Sequence, residues 1–132
     1  MTNPPPGPRV IVTGSRDWPD SRRVRAALND VFDGLQPGQT LTVVHGACNT
    51  GADMHAHMWC VERQHLDDPV VEEPHPADWA LHGKAAGPIR NERMVRLGAD
   101  MVLAFARDAS RGASHAEALA CAAGIPVHRW SA

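Results

Sequence analysis

Residues 82–95, which read HGKAAGPIRNERMV, combine cationic side chains with glycines and a Gly-Pro step. This segment contains Lys84, the single lysine of a chain that otherwise uses arginine, and Arg90, just beyond a Gly-Pro step. A guanidinium offers a planar fork to phosphate or carboxylate, whereas a lysine ammonium acts as a movable point charge. The segment therefore predicts the cationic wall of an anion-binding pocket, with Gly83 and Gly87 as hinges, Lys84 as the closing charge and Arg90 as the fixed anchor. For Lys84, an ordinary solvated surface lysine is the alternative.

Three further loops combine glycines with polar side chains: GSRDWPD (14–20), GACNTGAD (46–53) and ARDASRGASHAE (106–117). A glycine such as Gly14 lets backbone amides approach a ligand closely, and Arg16 supplies another guanidinium fork. These features predict ligand contacts in the first loop. The alternative is a plain strand-to-helix turn followed by a surface arginine.

Two of these loops carry patterns typical of helix starts. Thr50 followed by Asp53 is similar to a capping box, and Ser114 followed by Glu117 is an S-x-x-E box that opens the last helix. A capped helix start preceded by glycine also presents free amides and a positive dipole end to an anion. Glu117 is therefore either a capping residue or a catalytic one, and the sequence leaves both roles open.

Aromatic side chains occur in two of the loops, as Trp18 and Trp79. A loop tryptophan either stacks on a base or ring of a ligand or, more commonly, anchors the loop on the core. Both roles stay open for each residue.

The sequence lacks the motifs of several common enzyme classes. His55 and His57 point to different sides of a helix and no H-x-x-x-H spacing occurs, so we expect no metal site. The absence of a nucleophile elbow, a GxxxxGK[ST] loop and a GxGxxG fingerprint disfavours an esterase, a P-loop NTPase and an ordinary dehydrogenase.

Short apolar runs separate these loops and predict the elements that position them. RVIVT, LTVVH, PVVEE, MVLAF and IPVHRW predict strands, beginning at residues 9, 41, 69, 101 and 125. Apolar residues at helical spacing predict helices over 21–35, about 52–63, 90–97 and up to 123, before a glycine. The alternation predicts a single α/β Rossmann-like domain with a mainly parallel sheet of about five strands and helices on both faces. Ligands bind at the carboxyl ends of such strands, where all four loops would meet.

The segment between the third strand and Arg90 is predicted to be a long loop without secondary structure that belongs to the binding site. In the helix that follows, Met94 and Leu97 are expected to pack on the sheet, which aims Arg90 at the carboxyl edge of the sheet. Glu92 and Arg96 are expected to be an exposed pair.

Length and composition limit the class of protein. The 132 residues predict one domain, residues 9–132, after a flexible proline-rich leader of residues 1–8. A net charge of −2 gives no general attraction to nucleic acid or membranes, so we expect a small ligand. Three cysteines without a C-x-x-C pair argue against a disulfide framework and favour the cytoplasm. No signal-peptide pattern or membrane-spanning run is present.

The segments VIVTGSRDW, VVHGACNTGAD, HPADWALHGKAAGPIRNERMV and GIPV occur in this order. In this combination the sequence resembles the YspA-like branch of the SLOG superfamily, from about Arg9 to Val127. The resemblance implies a Rossmann-like domain that binds a nucleoside monophosphate, NAD or an ADP-ribose-like molecule, and it suggests a homodimer. Relatives in the superfamily include cytokinin-activating phosphoribohydrolases and DprA-type proteins that bind single-stranded DNA.

Positions in the family motifs carry over to residues of this chain. The resemblance and the loops together give the catalytic candidates Arg90, Glu92 and Glu117. They give the ligand-binding candidates Gly14, Ser15, Arg16, Gly46, Gly51, Asp53, Trp79, Lys84, Asn91, Gly112 and Ser114. Residues 112–117 stand where the phosphoribohydrolases have PGGxGTxxE, but SRGASHAE lacks the double glycine, which puts hydrolase activity in doubt.

The sequence therefore predicts a sensor or processing protein for a phosphate-bearing nucleotide derivative, without a cofactor. One alternative is a phosphoribohydrolase in which Glu117 or Glu92 orients water or substrate hydroxyls while Arg90 binds the phosphate or sugar. The other is a single-stranded nucleic-acid binder that uses the loop tryptophans and the arginines of the first helix, Arg22, Arg23 and Arg25. The net negative charge makes this second alternative the weaker one.

Overall fold

The computed structural model describes residues 7–107 and 111–131, with side chains from Ser114 onward in the second range. The predicted leader lies almost entirely outside these residues. The strands are β1 (Arg9–Gly14), β2 (Leu41–His45), β3 (Val70–Pro74), β4 (Met101–Ala106) and β5 (Val127–Ser131). The helices are α1 (Ser21–Asp33), α2 (Gly51–His65), α3 (Trp79–His82), α4 (Ala86–Arg96) and α5 (Arg111–Ala122), and a 3₁₀ turn (Gly83–Ala85) joins α3 to α4.

The five strands form one parallel sheet in the order β3-β2-β1-β4-β5. The predicted Rossmann-like α/β fold is therefore confirmed. Central strand β1 pairs with β2 on one side and β4 on the other, with Val10 opposite both Val43 and Met101. Because the strand order reverses beside β1, the crevice at the carboxyl end of β1 is where this type of sheet binds ligands.

Alternating residues of β1 support the helices on the two faces of the sheet. Val10 and Val12 pack in one cluster with Leu28 of α1 and Trp59 of α2. Ile11 points to the opposite face and packs in a second cluster with residues of α4 and α5, including Met94 and Ala120. Both faces of β1 are consequently buried, as expected for the centre of a parallel sheet.

The connection from β3 to α4 differs from the predicted loop. Residues 79–96 form α3, the 3₁₀ turn and α4 instead of an irregular segment that ends near Arg90. Pro88 lies in the first turn of α4, where a missing backbone N–H costs nothing. Gly87 is buried within this turn, so its predicted role as a hinge is wrong. Gly83 lies at the junction with a φ of 55°, a conformation that favours glycine.

Two further details of the helices correct the sequence-based expectations. Met94 is buried as predicted, but Leu97 is 56% exposed because α4 ends at Arg96. The helix α5 begins at Arg111, so Ser114 lies inside it, and the capping box predicted there is wrong. At α2, Thr50 is the N-cap residue by position, but its side chain makes no capping hydrogen bond.

None of the helices in the described part of the chain is long and apolar enough to cross a membrane. All three cysteines are free thiols. Cys60 is completely buried, and this burial raises the pKa of its thiol to about 12.

An ion pair crosses the sheet on the face of α4. The guanidinium of Arg9 donates to both carboxylate oxygens of Glu73 at 2.6 and 2.9 Å, and its Nε donates to the carbonyl oxygen of Gly98 at 3.0 Å. His75 Nε2 lies 2.7 Å from the same carboxylate. Hydrogen bonding from Arg9 lowers the pKa of Glu73 to about 2. The ion pair thus joins the start of β1 to the end of β3 across β2.

This pKa predicts how acid affects stability. The Glu73 interaction is fully present above the ordinary pKa of 4.5 and is lost as pH falls through about 2, because the unfolded chain takes up the proton first. We expect the free energy of unfolding, measured with urea between pH 6 and 2, to fall less steeply in Glu73→Gln than in the wild-type protein. The exposed α1 substitution Asp30→Asn serves as the control and should leave the slope unchanged. Parallel curves for Glu73→Gln and wild type would contradict this prediction.

Candidate functional site

A pocket of about 520 Å³ opens at the carboxyl edge of the sheet. The wall is formed by residues from β1, the loops after β1 and β2, α2, the α3–α4 segment and α5. They are Thr13, Gly14, Arg16, Gly46, Cys48, Asp53, Trp79, Lys84, Gly87, Pro88, Arg90, Asn91, Met94 and His115. Its size is in the range of pockets that hold small molecules and cofactors.

Close backbone packing holds the loops after β1 and β2 together. Gly51 has a φ of 68°, and a Cβ atom there would lie 2.2 Å from the carbonyl oxygen of Ser15. The same oxygen accepts a hydrogen bond from the amide of Ala52 at 3.3 Å. The hydroxyl oxygen of Ser15 accepts a hydrogen bond from the amide of Arg107 at 2.7 Å. This bond connects the loop after β4 to the loop after β1. Ser15 and Gly51 therefore support the pocket from behind its wall.

Arg90 is held in place by backbone and side-chain acceptors. Its Nη1 donates to the carbonyl oxygen of Gly46, and its Nε donates to Asn91 Oδ1 at 2.8 Å. A Cβ on Gly46 would lie 2.2 Å from Arg90 Nη1, so glycine makes room for this contact. The side chain thus reaches the carboxyl edge as predicted and lines the pocket, and its role as the anchor of a ligand stays a prediction.

A buried carboxyl group lies beside this arginine. Asp53 is 7% exposed, and burial raises its pKa, while the charge of Arg90 acts in the opposite direction. Its Oδ2 accepts a hydrogen bond from the amide of Cys48 at 3.3 Å. Burial and the carboxylate of Asp53 raise the pKa of the Cys48 thiol, which makes it a poor nucleophile.

The open side of the pocket is cationic and aromatic. The guanidinium carbon of Arg16 lies 5.4 Å from the ring centroid of Trp79, a cation–π distance. Both side chains are exposed, as is Lys84 in the 3₁₀ turn. Trp18, in contrast, is buried, donates from Nε1 to the carbonyl oxygen of Asp20 and packs on the core. Of the two loop tryptophans, only Trp79 lines the pocket.

Three of the remaining candidates, Glu92, Ser114 and Glu117, lie outside the pocket wall. Glu92 is exposed on α4, and Ser114 is exposed on α5. Glu117 lies 3.6 Å from Arg129 of β5, a contact between an oxygen and the guanidinium Nε. Gly112 belongs to the first turn of α5, and its surroundings are outside the described residues. The catalytic roles of Glu92 and Glu117 stay predictions that this placement does not support.

Sequence reasoning missed three pocket residues with polar side chains, Thr13, Cys48 and His115. Thr13 precedes the loop GSRDWPD, and Cys48 lies within the loop GACNTGAD. Their position at these predicted binding loops is the sequence signal that could have identified them. His115 follows Ser114 directly, but the misplaced start of α5 gave no indication that its ring faces the pocket.

A second polar cluster joins β2, α2 and β3. His45 Nε2 and His57 Nδ1 lie 2.6 and 2.7 Å from the same oxygen of Glu72, and these three atoms lie within 4.8 Å of one another. The amide of Ala47 donates to His45 Nδ1 at 3.0 Å, so His45 Nε2 carries a hydrogen and donates it to Glu72. A metal ligand must instead present a lone pair, and binding here would require His45 to change tautomer against this amide. Hydrogen bonding is sufficient to explain the cluster.

Comparisons with known proteins agree with the sequence resemblance. A family model described as the YspA, cpYpsA-related SLOG family matches residues 8–82. The chain is also 45% identical over 119 residues to the Gene 61 protein of Mycobacterium phage D29, which covers 90% of this chain and 93% of that protein. No solved structure gives a significant match.

The contact between the first two loops predicts an unequal cost of two glycine substitutions. Gly51→Ala places an alanine in a left-handed backbone conformation and also makes its Cβ collide with Ser15. Gly124→Ala has only the strain of the left-handed backbone at a φ of 76°, because no atom lies within 4 Å of its Cβ position. We expect Gly124→Ala to lose about 1 kcal/mol of unfolding free energy and Gly51→Ala at least twice as much. Urea denaturation of both variants measures the difference, and equal losses would refute the proposed packing.

Proposed function

The chain belongs to the YspA, cpYpsA-related SLOG family, and from that premise we propose that it binds a phosphate-bearing nucleotide derivative in this pocket. The ligand class comprises nucleoside monophosphates, NAD and ADP-ribose-like molecules. The observation that carries the proposal is the meeting of three cationic side chains, Arg16, Lys84 and Arg90, around one cavity at the carboxyl edge of the sheet. Among the described residues of the wall, Asp53 is the one acidic group, so this part of the cavity favours an anion.

The phosphate is assigned to the side of the pocket formed by Arg90 and Lys84. Arg90 is already fixed by the Gly46 carbonyl, so binding costs little additional side-chain entropy. Lys84 extends from the 3₁₀ turn as an exposed ammonium that reaches an anion as a point charge. Gly14 and Gly46 carry no side chain that would keep the phosphate from the backbone.

The base of the nucleoside is assigned to the exposed ring of Trp79. The indole is 48% exposed and therefore retains a surface on which a base can stack. Asp53 is a buried polar group in the same wall and can accept hydrogen bonds from ribose hydroxyls.

The alternative of an N-glycosidic phosphoribohydrolase is supported by one observation. Asp53 is a buried carboxyl group of raised pKa beside Arg90 in the pocket, a combination found among general acids. In such an enzyme Asp53, more readily than Glu92 or Glu117, would act on the glycosidic bond. Binding without turnover remains the leading function because Glu92 and Glu117, the carboxyl groups predicted to be catalytic, lie outside the pocket wall.

The alternative of a single-stranded nucleic-acid binder receives less support from α1. Arg23 pairs with Asp20 at 3.2 Å, and Arg25 makes a two-point contact with Glu62. These ion pairs reduce the positive charge that the helix can offer to a phosphate backbone.

Titration calorimetry of AMP, NAD and ADP-ribose tests the proposal. We expect at least one of them to bind the wild-type protein, and Arg90→Ala to bind it at least about 10-fold more weakly, as for loss of a charged hydrogen bond. Arg96→Ala, an exposed arginine of the same helix, is the matched control and should bind like wild type. Chromatography of the mixtures detects free base, which would identify the phosphoribohydrolase. Absence of binding by all three compounds would contradict the proposed function.

A further inference from the structure

Three consecutive hydrogen bonds connect the loop after β2 to α5 through two neighbouring residues of α4. Arg90 donates to the Gly46 carbonyl oxygen with Nη1 and to Asn91 Oδ1 with Nε. On its other side, Asn91 Nδ2 lies 3.3 Å from His115 Nδ1. Arg90, Asn91 and His115 all line the pocket, and Asn91 is only 4% exposed.

The donor groups in this series of hydrogen bonds determine the orientation of the Asn91 amide. A guanidinium can only donate hydrogen bonds, so the atom of Asn91 that faces Arg90 Nε must be the oxygen. The amide nitrogen is then the atom that faces His115. Since an amide nitrogen also only donates, His115 Nδ1 must accept.

The orientation of Asn91 in turn determines the tautomer of His115. A neutral imidazole with an accepting Nδ1 carries its hydrogen on Nε2. We propose that His115 contacts the ligand through this Nε2–H group, and that Asn91, oriented by Arg90, is the positioning residue that fixes the tautomer. This inference rests on the proposed function, because it concerns the same pocket.

The chemistry of the donor specifies what it recognises. An Nε2–H group pairs with an acceptor, and the anionic ligands of the proposed class supply phosphate and ribose oxygens. Arg90 serves two purposes in this arrangement, since it provides charge to the pocket and also orients the amide that positions His115. The wall of the pocket thereby combines a fixed cation with a fixed neutral donor.

The tautomer can be measured directly in the full-length free protein. Long-range ¹H–¹⁵N spectra at pH 8, where an ordinary histidine is neutral, distinguish hydrogen on Nε2 from hydrogen on Nδ1. We expect His115 to be in the Nε2–H form. In Asn91→Asp the carboxylate accepts from both neighbours, and we expect the hydrogen to move to Nδ1, while the exposed His128 is unchanged. An Nδ1–H form in the wild-type protein, or an unchanged His115 in Asn91→Asp, would overturn the positioning role.

Binding of AMP and ADP-ribose tests the ligand contact. His115→Ala should weaken binding about 10-fold or more, whereas His115→Gln, which retains a nitrogen donor, should stay within about 3-fold of wild type. His128→Ala is the histidine control, and circular dichroism confirms that each variant is folded. Wild-type affinity in His115→Ala would overturn this inference alone. Failure of the wild-type protein to bind either compound would overturn the proposed function and the ligand contact together.

Discussion

The hydrogen bond from Arg90 to the carbonyl oxygen of Gly46 is the interaction on which the candidate site depends. It connects α4, which covers one face of the sheet, to the loop after β2, and it needs a residue without a side chain at position 46. The arginine is consequently held at the carboxyl edge before any ligand is bound. A charge held in this way loses little freedom on binding, which is how a small domain gains affinity from few contacts.

The same arginine links two kinds of polar group in one wall. Its charge opposes the rise in the pKa of the buried Asp53, and its Nε orients Asn91 and, through it, His115. A change at one of these groups therefore affects the others, so effects of substitutions are not expected to add. The His45–Glu72–His57 cluster is a separate network that joins β2, β3 and α2.

The sequence was sufficient to predict the fold because strand and helix patterns are local and strongly periodic. The buried faces of α1 and α2 follow directly from apolar spacing, and alternation of the elements gives the parallel sheet. Proximity of the four loops followed from this topology. The start of α4 could not be predicted in this way. A Gly-Pro step is typical of a loop, but Pro88 also fits the first turn of a helix.

The environments of the side chains in the site could be predicted less well from the sequence than the fold. The position of Arg90 could be predicted from its place in a helix, but the burial of Asp53 depends on packing between separate loops. His115 was not predicted as a pocket residue because its orientation depends on where α5 begins. Helix boundaries are the least reliable part of a prediction from sequence patterns. The His45–Glu72–His57 cluster was not predicted because its members lie on three different elements, and no local spacing rule connects them.

In the proposed function, one anionic nucleotide derivative occupies the pocket at the carboxyl edge of the sheet. A titration with ADP-ribose followed by backbone ¹H–¹⁵N spectra tests this most directly, because it locates binding residue by residue. The largest shifts are expected at the amides of Gly14, Arg16, Gly46 and Cys48, with saturation at one equivalent of bound ligand. Shifts confined to Arg22, Arg23 and Arg25 of α1, or an unchanged spectrum, would contradict binding in this pocket.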